Sequence, residues 1–91
     1  MTIAHMIASG TVQGVGFRAT AQQKAIETGV KGWVKNLPNG DVELEAEGTP
    51  EQVNKFVETI RKGPHRFIKV DNLEIDRSDE QKGYTSFDVV Y

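Results

Sequence analysis

An α+β fold, with one antiparallel sheet covered on a single face by two helices, is predicted by three observations. Apolar residues recur at a period of two in some stretches and of about 3.6 in two others. Those stretches follow one another as β-α-β-β-α-β with a short last strand. The chain has 91 residues, enough for a core on one face of a sheet and too few for two cores, so residues 1–91 read as one domain.

Ile3 to Ser9 carries Ile3, Met6 and Ile7 and reads as a first strand. A glycine-bearing loop follows, and Phe17 to Thr28 reads as a helix. Phe17, Ala21 and Ala25 fall four apart on one face with Ile26 beside them, and Gly29 is a natural helix stop. Val30 to Asn36 is a second strand. Leu37-Pro38-Asn39-Gly40 is turn chemistry, since proline presets φ and Asn-Gly tolerates positive φ. Asp41 to Glu47 alternates strictly, with Val42, Leu44 and Ala46 expected toward the core and Asp41, Glu43, Glu45 and Glu47 toward water.

Thr49-Pro50-Glu51-Gln52 is a helix start with three agreeing signals: a Thr cap, Pro at the first helical position, and Gln three residues after the cap. Val53, Phe56, Val57 and Ile60 supply the apolar stripe, and Gly63-Pro64 ends the helix. Ile68 to Asp76 is a fourth strand whose apolar phase slips between Val70 and Leu73, which predicts a bulge near Asp71-Asn72. Arg77 to Gly83 reads as a polar loop. Tyr84 to Tyr91 closes the chain, with Phe87, Val89 and Tyr91 expected on one face. This order is the ferredoxin-like split βαβ sandwich.

Composition narrows the partners. Hydrophobic residues make up 37% and charged residues 26%, the balance of an ordered globular chain. A formal net charge of −2 argues against nucleic acid as the main partner, so an anion site here has to be built locally. The absence of cysteine excludes disulfides, thiolate catalysis and thiolate metal sites. No apolar run is long enough to cross a membrane, and the N-terminus lacks the features of a signal peptide. A cytoplasmic monomer without a membrane partner is the expectation.

The segment Val12-Gln13-Gly14-Val15-Gly16-Phe17-Arg18 carries the chemistry. A glycine loop at a helix start turns several backbone N–H groups toward one point, where the helix adds partial positive charge. Arg18 in the first turn adds a full charge and a planar fork that fits phosphate oxygens. The N–H groups of Gln13, Gly14, Val15, Gly16, Phe17 and Arg18 are therefore the candidate phosphate cradle. The alternative is a bare strand-to-helix turn with a solvated arginine. Two details favour a site: the glycines and Arg18 are packed together at the helix start, and no carboxylate stands nearby in sequence to pair with Arg18. A Walker loop is excluded because no Gly-Lys-Ser/Thr follows. The stretch from Gly14 to Ala19 matches G-x-G-x-x-A, but the second strand ends in Asn36 rather than an acidic ribose ligand, and the chain then turns back as a hairpin. In a split βαβ fold the end of that strand and the first loop share one edge of the sheet, which brings Asn36 toward Arg18. Capping the hairpin turn is the alternative role for Asn36.

Gly10 through Arg18 resembles the first signature of the acylphosphatase family, and Gly32-Trp33-Val34-Lys35-Asn36 with Gly40, Val42 and Gly48 resembles the second at the right spacing. The likeness extends over essentially the whole chain, including a Phe-x-x-x-Tyr ending. It implies hydrolysis of a small acyl phosphate to a carboxylate and inorganic phosphate, with no metal and no cofactor. It further implies that Arg18 binds the phosphate and Asn36 positions the attacking water, and by family analogy that the Tyr91 carboxylate pairs with Arg18. Thr11 and Val90 stand where the family often has basic residues.

The chemistry is coherent on its own terms. An acyl phosphate expels a carboxylate, a weak base, so no general acid is required, and phosphoryl transfer needs mainly positioning and charge stabilisation. His5 and His65 are isolated, share no metal-ligand spacing and read as structural or solvated. The acidic row from Asp41 to Glu47 reads as a solvated face. Lys31, Trp33 and Lys35 form a basic, aromatic strip. RNA-recognition motifs share this fold, and Lys31-Gly32-Trp33-Val34 is similar to part of their signature, but the aromatic pair on two adjacent central strands is missing and the net charge is acidic. A non-catalytic anion-binding domain, or an accessory domain of a larger carbamoyl-transferring protein, is the further alternative.

Overall fold

The computed structural model describes residues 1–91. Strand β1 (Thr2–Thr11) is followed by α1 (Phe17–Thr28), the hairpin β2 (Lys31–Asn36) and β3 (Val42–Gly48), then α2 (Pro50–Arg61), β4 (Lys69–Ser78) and β5 (Phe87–Val90). The sheet order is β4-β1-β3-β2-β5. β3 lies between β1 and β2 and runs antiparallel to both, and β4 runs antiparallel to β1. This is the split βαβ arrangement of an α+β ferredoxin-like fold.

The last strand makes the sheet mixed rather than antiparallel throughout. β5 runs parallel to β2, with Gly32 opposite Phe87 and Val34 opposite Val89. The direction follows from the path. β4 ends at Ser78 opposite Ile3, at the end of the sheet where β2 begins, and β5 starts there and travels the same way as β2. Its far end therefore reaches the edge where β1 and β2 finish.

The core lies between the sheet and the helices. Met6, Ala4 and Ala8 of β1 and Val42, Leu44 and Ala46 of β3 are buried against Val53, Phe56, Val57 and Ile60 of α2. The rings of Phe56 and Phe87 lie 5.6 Å apart. Helix α1 buries only Phe17, Ala21 and Ala25. Ile26, expected beside them, is 70% exposed. One residue beyond Ala25 is a rotation of about 100°, which carries its side chain off the narrow alanine face. The α2 start forms as its sequence predicts: the Thr49 hydroxyl accepts from the Gln52 amide at 3.2 Å, and Gln52 Oε1 accepts from the Thr49 amide at 3.0 Å.

The phase slip in β4 is a bulge. Ser9 faces Asn72 but Gly10 faces Val70, leaving Asp71 as the extra residue. Gly10 has φ +129°, and a Cβ there would lie 2.3 Å from the Lys69 carbonyl oxygen. Glycine is required at that crossing for conformation and for space.

The acidic row does not face water as expected. Glu45 and Glu47 are 4% and 6% exposed. The segment between β4 and β5 folds across the helix-free face of the sheet and covers them. Glu47 Oε2 accepts from the amides of Lys82 at 2.6 Å and Gly83 at 3.3 Å, and Oε1 accepts from the Tyr84 amide at 2.9 Å. These backbone donors, that of Lys82 foremost, hold the Glu47 carboxyl below the usual carboxylate range against the opposing effect of burial. Glu45 takes the Tyr84 hydroxyl at 2.9 Å and Lys82 Nζ at 2.6 Å. The Glu45 contact raises the Lys82 ammonium, and burial raises the Tyr84 phenol. Tyr84 is thus spent on this clasp, which is why β5 runs only from Phe87 rather than from Tyr84. Glu43 instead meets His5 Nε2 at 2.6 Å and Lys35 Nζ at 3.7 Å.

Candidate active site

The first half of the site is the loop between β1 and α1. Gly14 and Gly16 have φ +75° and +77°, and a Cβ at either would meet nothing within 4 Å. Glycine is needed there for the left-handed backbone, not for room. Left-handed residues two apart at the mouth of a helix bend the chain into the kind of concave turn that gathers N–H groups. Gly16 is the helix cap and offers no side chain to the helix amides.

Those amides are unspent. The first one in this stretch to find an acceptor is that of Thr20, which donates to the Gly16 carbonyl at 3.1 Å; the amides of Gln13 through Ala19 donate to no atom of the chain. A helix start alone leaves its first few N–H groups free. Here the preceding loop extends the run. No acidic side chain sits in the first turn of α1 to neutralise it.

Arg18 extends from that first turn and forms no ion pair or hydrogen bond with another side chain. Its guanidinium carbon lies 4.6 Å from the centre of the Tyr91 ring. The contact that forms is therefore with the ring, not the expected pairing with the Tyr91 carboxylate. Tyr91 is 97% exposed and lies one residue beyond the end of β5, so it does not join Phe87 and Val89 on a core face.

The second half comes from β2. Asn36 is its last residue, paired with Val42 across the hairpin. Its side-chain amide makes no internal hydrogen bond, so it does not cap the turn. That turn is closed by the Leu37 amide on the Asp41 carbonyl at 2.8 Å and by Asn39 with Asp41. Arg18 and Asn36 line one cavity of about 370 Å³ together with Gly14, Gly16, Gln22 and Tyr91. No Asp or Glu lines it. Among the side chains that line it, Arg18 alone is ionised at neutral pH, and unpaired donors border it. No group of three His, Asp or Glu side chains anywhere in the chain is arranged to hold a metal ion.

The structure thus brings Gly14, Gly16, Phe17, Arg18 and Asn36 to one cavity. Gln13 and Val15 do not line it; their place in the candidate cradle rests on their free amides. Sequence reasoning missed Gln22 and the reach of the Gln13 side chain, and brought Tyr91 to Arg18 through the family resemblance alone. Gln22 lies one helical turn beyond Arg18, and that spacing is the signal for it. Its Nε2 donates to the Phe87 carbonyl at 2.9 Å, tying α1 to β5. Tyr91 was placed on a core face by alternation. The Gln13 side chain reaches away from the cavity, to the carbonyls of Leu37 and Asp41.

The other candidates lie elsewhere. His5 is on the helix-free face, edge-on to Trp33 with ring centroids 6.3 Å apart. His65 stacks with Phe67 at 5.2 Å in the loop after α2. In the Lys31, Trp33, Lys35 strip, Lys31 is exposed, and the Trp33 indole N–H donates to the Tyr84 hydroxyl at 3.1 Å, so the ring is partly covered.

Comparison with known proteins agrees on one family. Residues 4–89 match the family model described as Acylphosphatase. A protein named acylphosphatase from Bacillus velezensis is 47% identical over 87 residues, covering 96% of each chain. One from Bordetella parapertussis is 45% identical over 87 residues, 96% of this chain and 92% of that one. Among solved structures, the acylphosphatase of Bacillus subtilis superposes with a TM-score of 0.95 at 38% identity over 100% of both chains.

Proposed function

The chain belongs to the acylphosphatase family, whose members are hydrolases acting on acyl phosphates, and from that premise we propose how this chain performs the reaction. The amides of Gln13, Gly14, Val15, Gly16, Phe17 and Arg18 hold the phosphoryl oxygens together with the Arg18 guanidinium. Asn36 orients a water in line with the bond to the leaving carboxylate. No metal or cofactor takes part, and the enzyme works as a cytoplasmic monomer on a small acyl phosphate.

The observation that supports this reading is the run of amides from Gln13 to Ala19 that donate to nothing in the chain, in a segment whose Gly14, Gly16, Phe17, Arg18 and Ala19 line the cavity with an unpaired arginine. Buried or clustered donors normally find acceptors. A run left free beside a lone cation is suited to an oxyanion with several acceptor lone pairs. As the transferred phosphoryl group loosens, charge spreads over its equatorial oxygens, and preset donors stabilise that charge without reorganising.

The bookkeeping of the step closes without an acid or a nucleophilic side chain. Water oxygen bonds to phosphorus as the bond between phosphorus and the acyl oxygen breaks. The electron pair leaves on the carboxylate, whose conjugate acid has a pKa of roughly 4 and which departs unprotonated. The water proton passes to a phosphate oxygen, because an asparagine amide orients water but is no base at neutral pH. A phosphate monoester, with an alkoxide to expel, is a poor substrate for such a set.

The test is hydrolysis of benzoyl phosphate by the intact chain in excess chelator. The reading predicts undiminished turnover with chelator and negligible turnover of an alkyl phosphate monoester. Activity restored only by an added divalent cation would overturn it.

A further inference from the structure

The two halves of the site are carried by different loops, and the backbone does not join them. The β1–β3 ladder ends at Ala8 opposite Val42, and no main-chain hydrogen bond links residues 12–16 to residues 36–41. One side chain does. Gln13 Nε2 donates to the Leu37 carbonyl at 2.7 Å and to the Asp41 carbonyl at 2.8 Å. These two carbonyls flank the turn that begins immediately after Asn36. A primary amide carries two hydrogens on one nitrogen, so a single neutral side chain reaches both carbonyls at once, each of which also accepts a main-chain amide of the turn. Gln13 is half-buried there, where such bonds are less open to exchange with water.

We propose that Gln13 is a positioning residue whose side chain sets the distance between the phosphate cradle and Asn36. Its backbone stands at the start of the cradle and its amide grips the turn beyond Asn36. It thereby fixes the water held by one half in line with the phosphorus held by the other. The proposal rests on the reading that Asn36 orients the water. Displacing a reacting group by about 1 Å costs on the order of 10²-fold in rate, so a single strut of this kind has a kinetic effect out of proportion to its size.

The test compares Gln13→Glu and Gln13→Met with the parent chain and with Asn36→Ala, measuring kcat and KM for benzoyl phosphate and inhibition by inorganic phosphate. Gln13→Glu keeps the shape and turns both donors into acceptors facing carbonyl oxygens. Gln13→Met keeps the length without charge and reads the same strut if the glutamate variant does not fold. Thermal melting confirms that each variant is folded.

The expected result is a kcat lowered at least about tenfold in both Gln13 variants, with the phosphate inhibition constant of the uncharged Gln13→Met variant within about threefold of the parent. Combining Gln13→Met with Asn36→Ala is expected to be no slower than Asn36→Ala alone within about threefold, because both changes act through the same water. Parent-like kcat in a folded Gln13 variant, beside a slow Asn36→Ala, would overturn the strut and leave the role of Asn36 standing. In Gln13→Met, a phosphate inhibition constant that rises in step with the loss of kcat would also overturn it, since Gln13 would then be shaping the cradle. Parent-like kcat in Asn36→Ala would remove the reading beneath both.

Discussion

Replacing Glu47 with glutamine tests how the end of the chain is held beside the cavity. Glu47 is 6% exposed and accepts the amides of Lys82, Gly83 and Tyr84 at 2.6, 3.3 and 2.9 Å. Glutamine keeps one acceptor oxygen and places an NH₂ where the other stood, so at least one short bond is lost outright. A hydrogen bond to a charged group contributes about 1.5–3 kcal/mol net and a neutral one about 0.5–1.5. Losing one and weakening a second, with partial rehydration of the freed N–H groups, gives a destabilisation of roughly 2–3 kcal/mol. For a domain of this size each kcal/mol lowers Tm by about 4–8 °C, so a fall of roughly 10–20 °C is expected. The chain's single tryptophan, Trp33, donates to the Tyr84 hydroxyl and reports the clasp by fluorescence during urea or thermal unfolding.

The pH dependence gives this prediction its sign. The folded-state pKa of Glu47 is lowered, first by the Lys82 amide. Its stabilisation is therefore complete above the unfolded pKa of roughly 4.3 and disappears as pH falls through the folded value. The gap between the parent and Glu47→Gln should be full at pH 7 and close in acid. A gap under about 0.5 kcal/mol at pH 7, or one that stays constant down to pH 3, would refute the reasoning.

Two further outcomes follow. Arg18→Lys keeps the charge but loses the planar fork and the contact with the Tyr91 ring, so kcat/KM for benzoyl phosphate should fall roughly 10²–10³-fold, and near-parent kinetics would show that a point charge suffices. Thr49→Ala removes the hydroxyl that caps α2 and should cost about 1 kcal/mol in denaturant unfolding with kinetics unchanged.

What could be read from the sequence was mostly local. The Thr49 start of α2, the bulge at Asp71 and the helix from Phe17 each follow from signals within a few residues, and each forms as expected. The convergence of Arg18 and Asn36 was legible because a split βαβ order sends the first loop and the end of β2 to one edge. The failures are long-range, apart from Ile26. Alternation says which way Glu45 and Glu47 point, but not that residues 82–84 fold back over them. Ile26 looked like core because periodicity cannot tell how narrow a face α1 presents to the sheet. The parallel pairing of β5, and with it the Tyr91 ring beside Arg18, depends on where a polar loop crosses the molecule. Local propensity carries no trace of that route. The Gln13 side chain belongs to the same class, because its acceptors lie more than twenty residues away.

The account stands most directly on the division of labour between the cradle and Asn36, and steady-state kinetics of Asn36→Ala with benzoyl phosphate measures it. With the amides and Arg18 intact, KM and inhibition by inorganic phosphate should stay near the parent values while kcat falls ~10²–10³-fold. A folded Asn36→Ala enzyme that turns over at the parent rate, or one whose phosphate binding is lost along with its kcat, would contradict it.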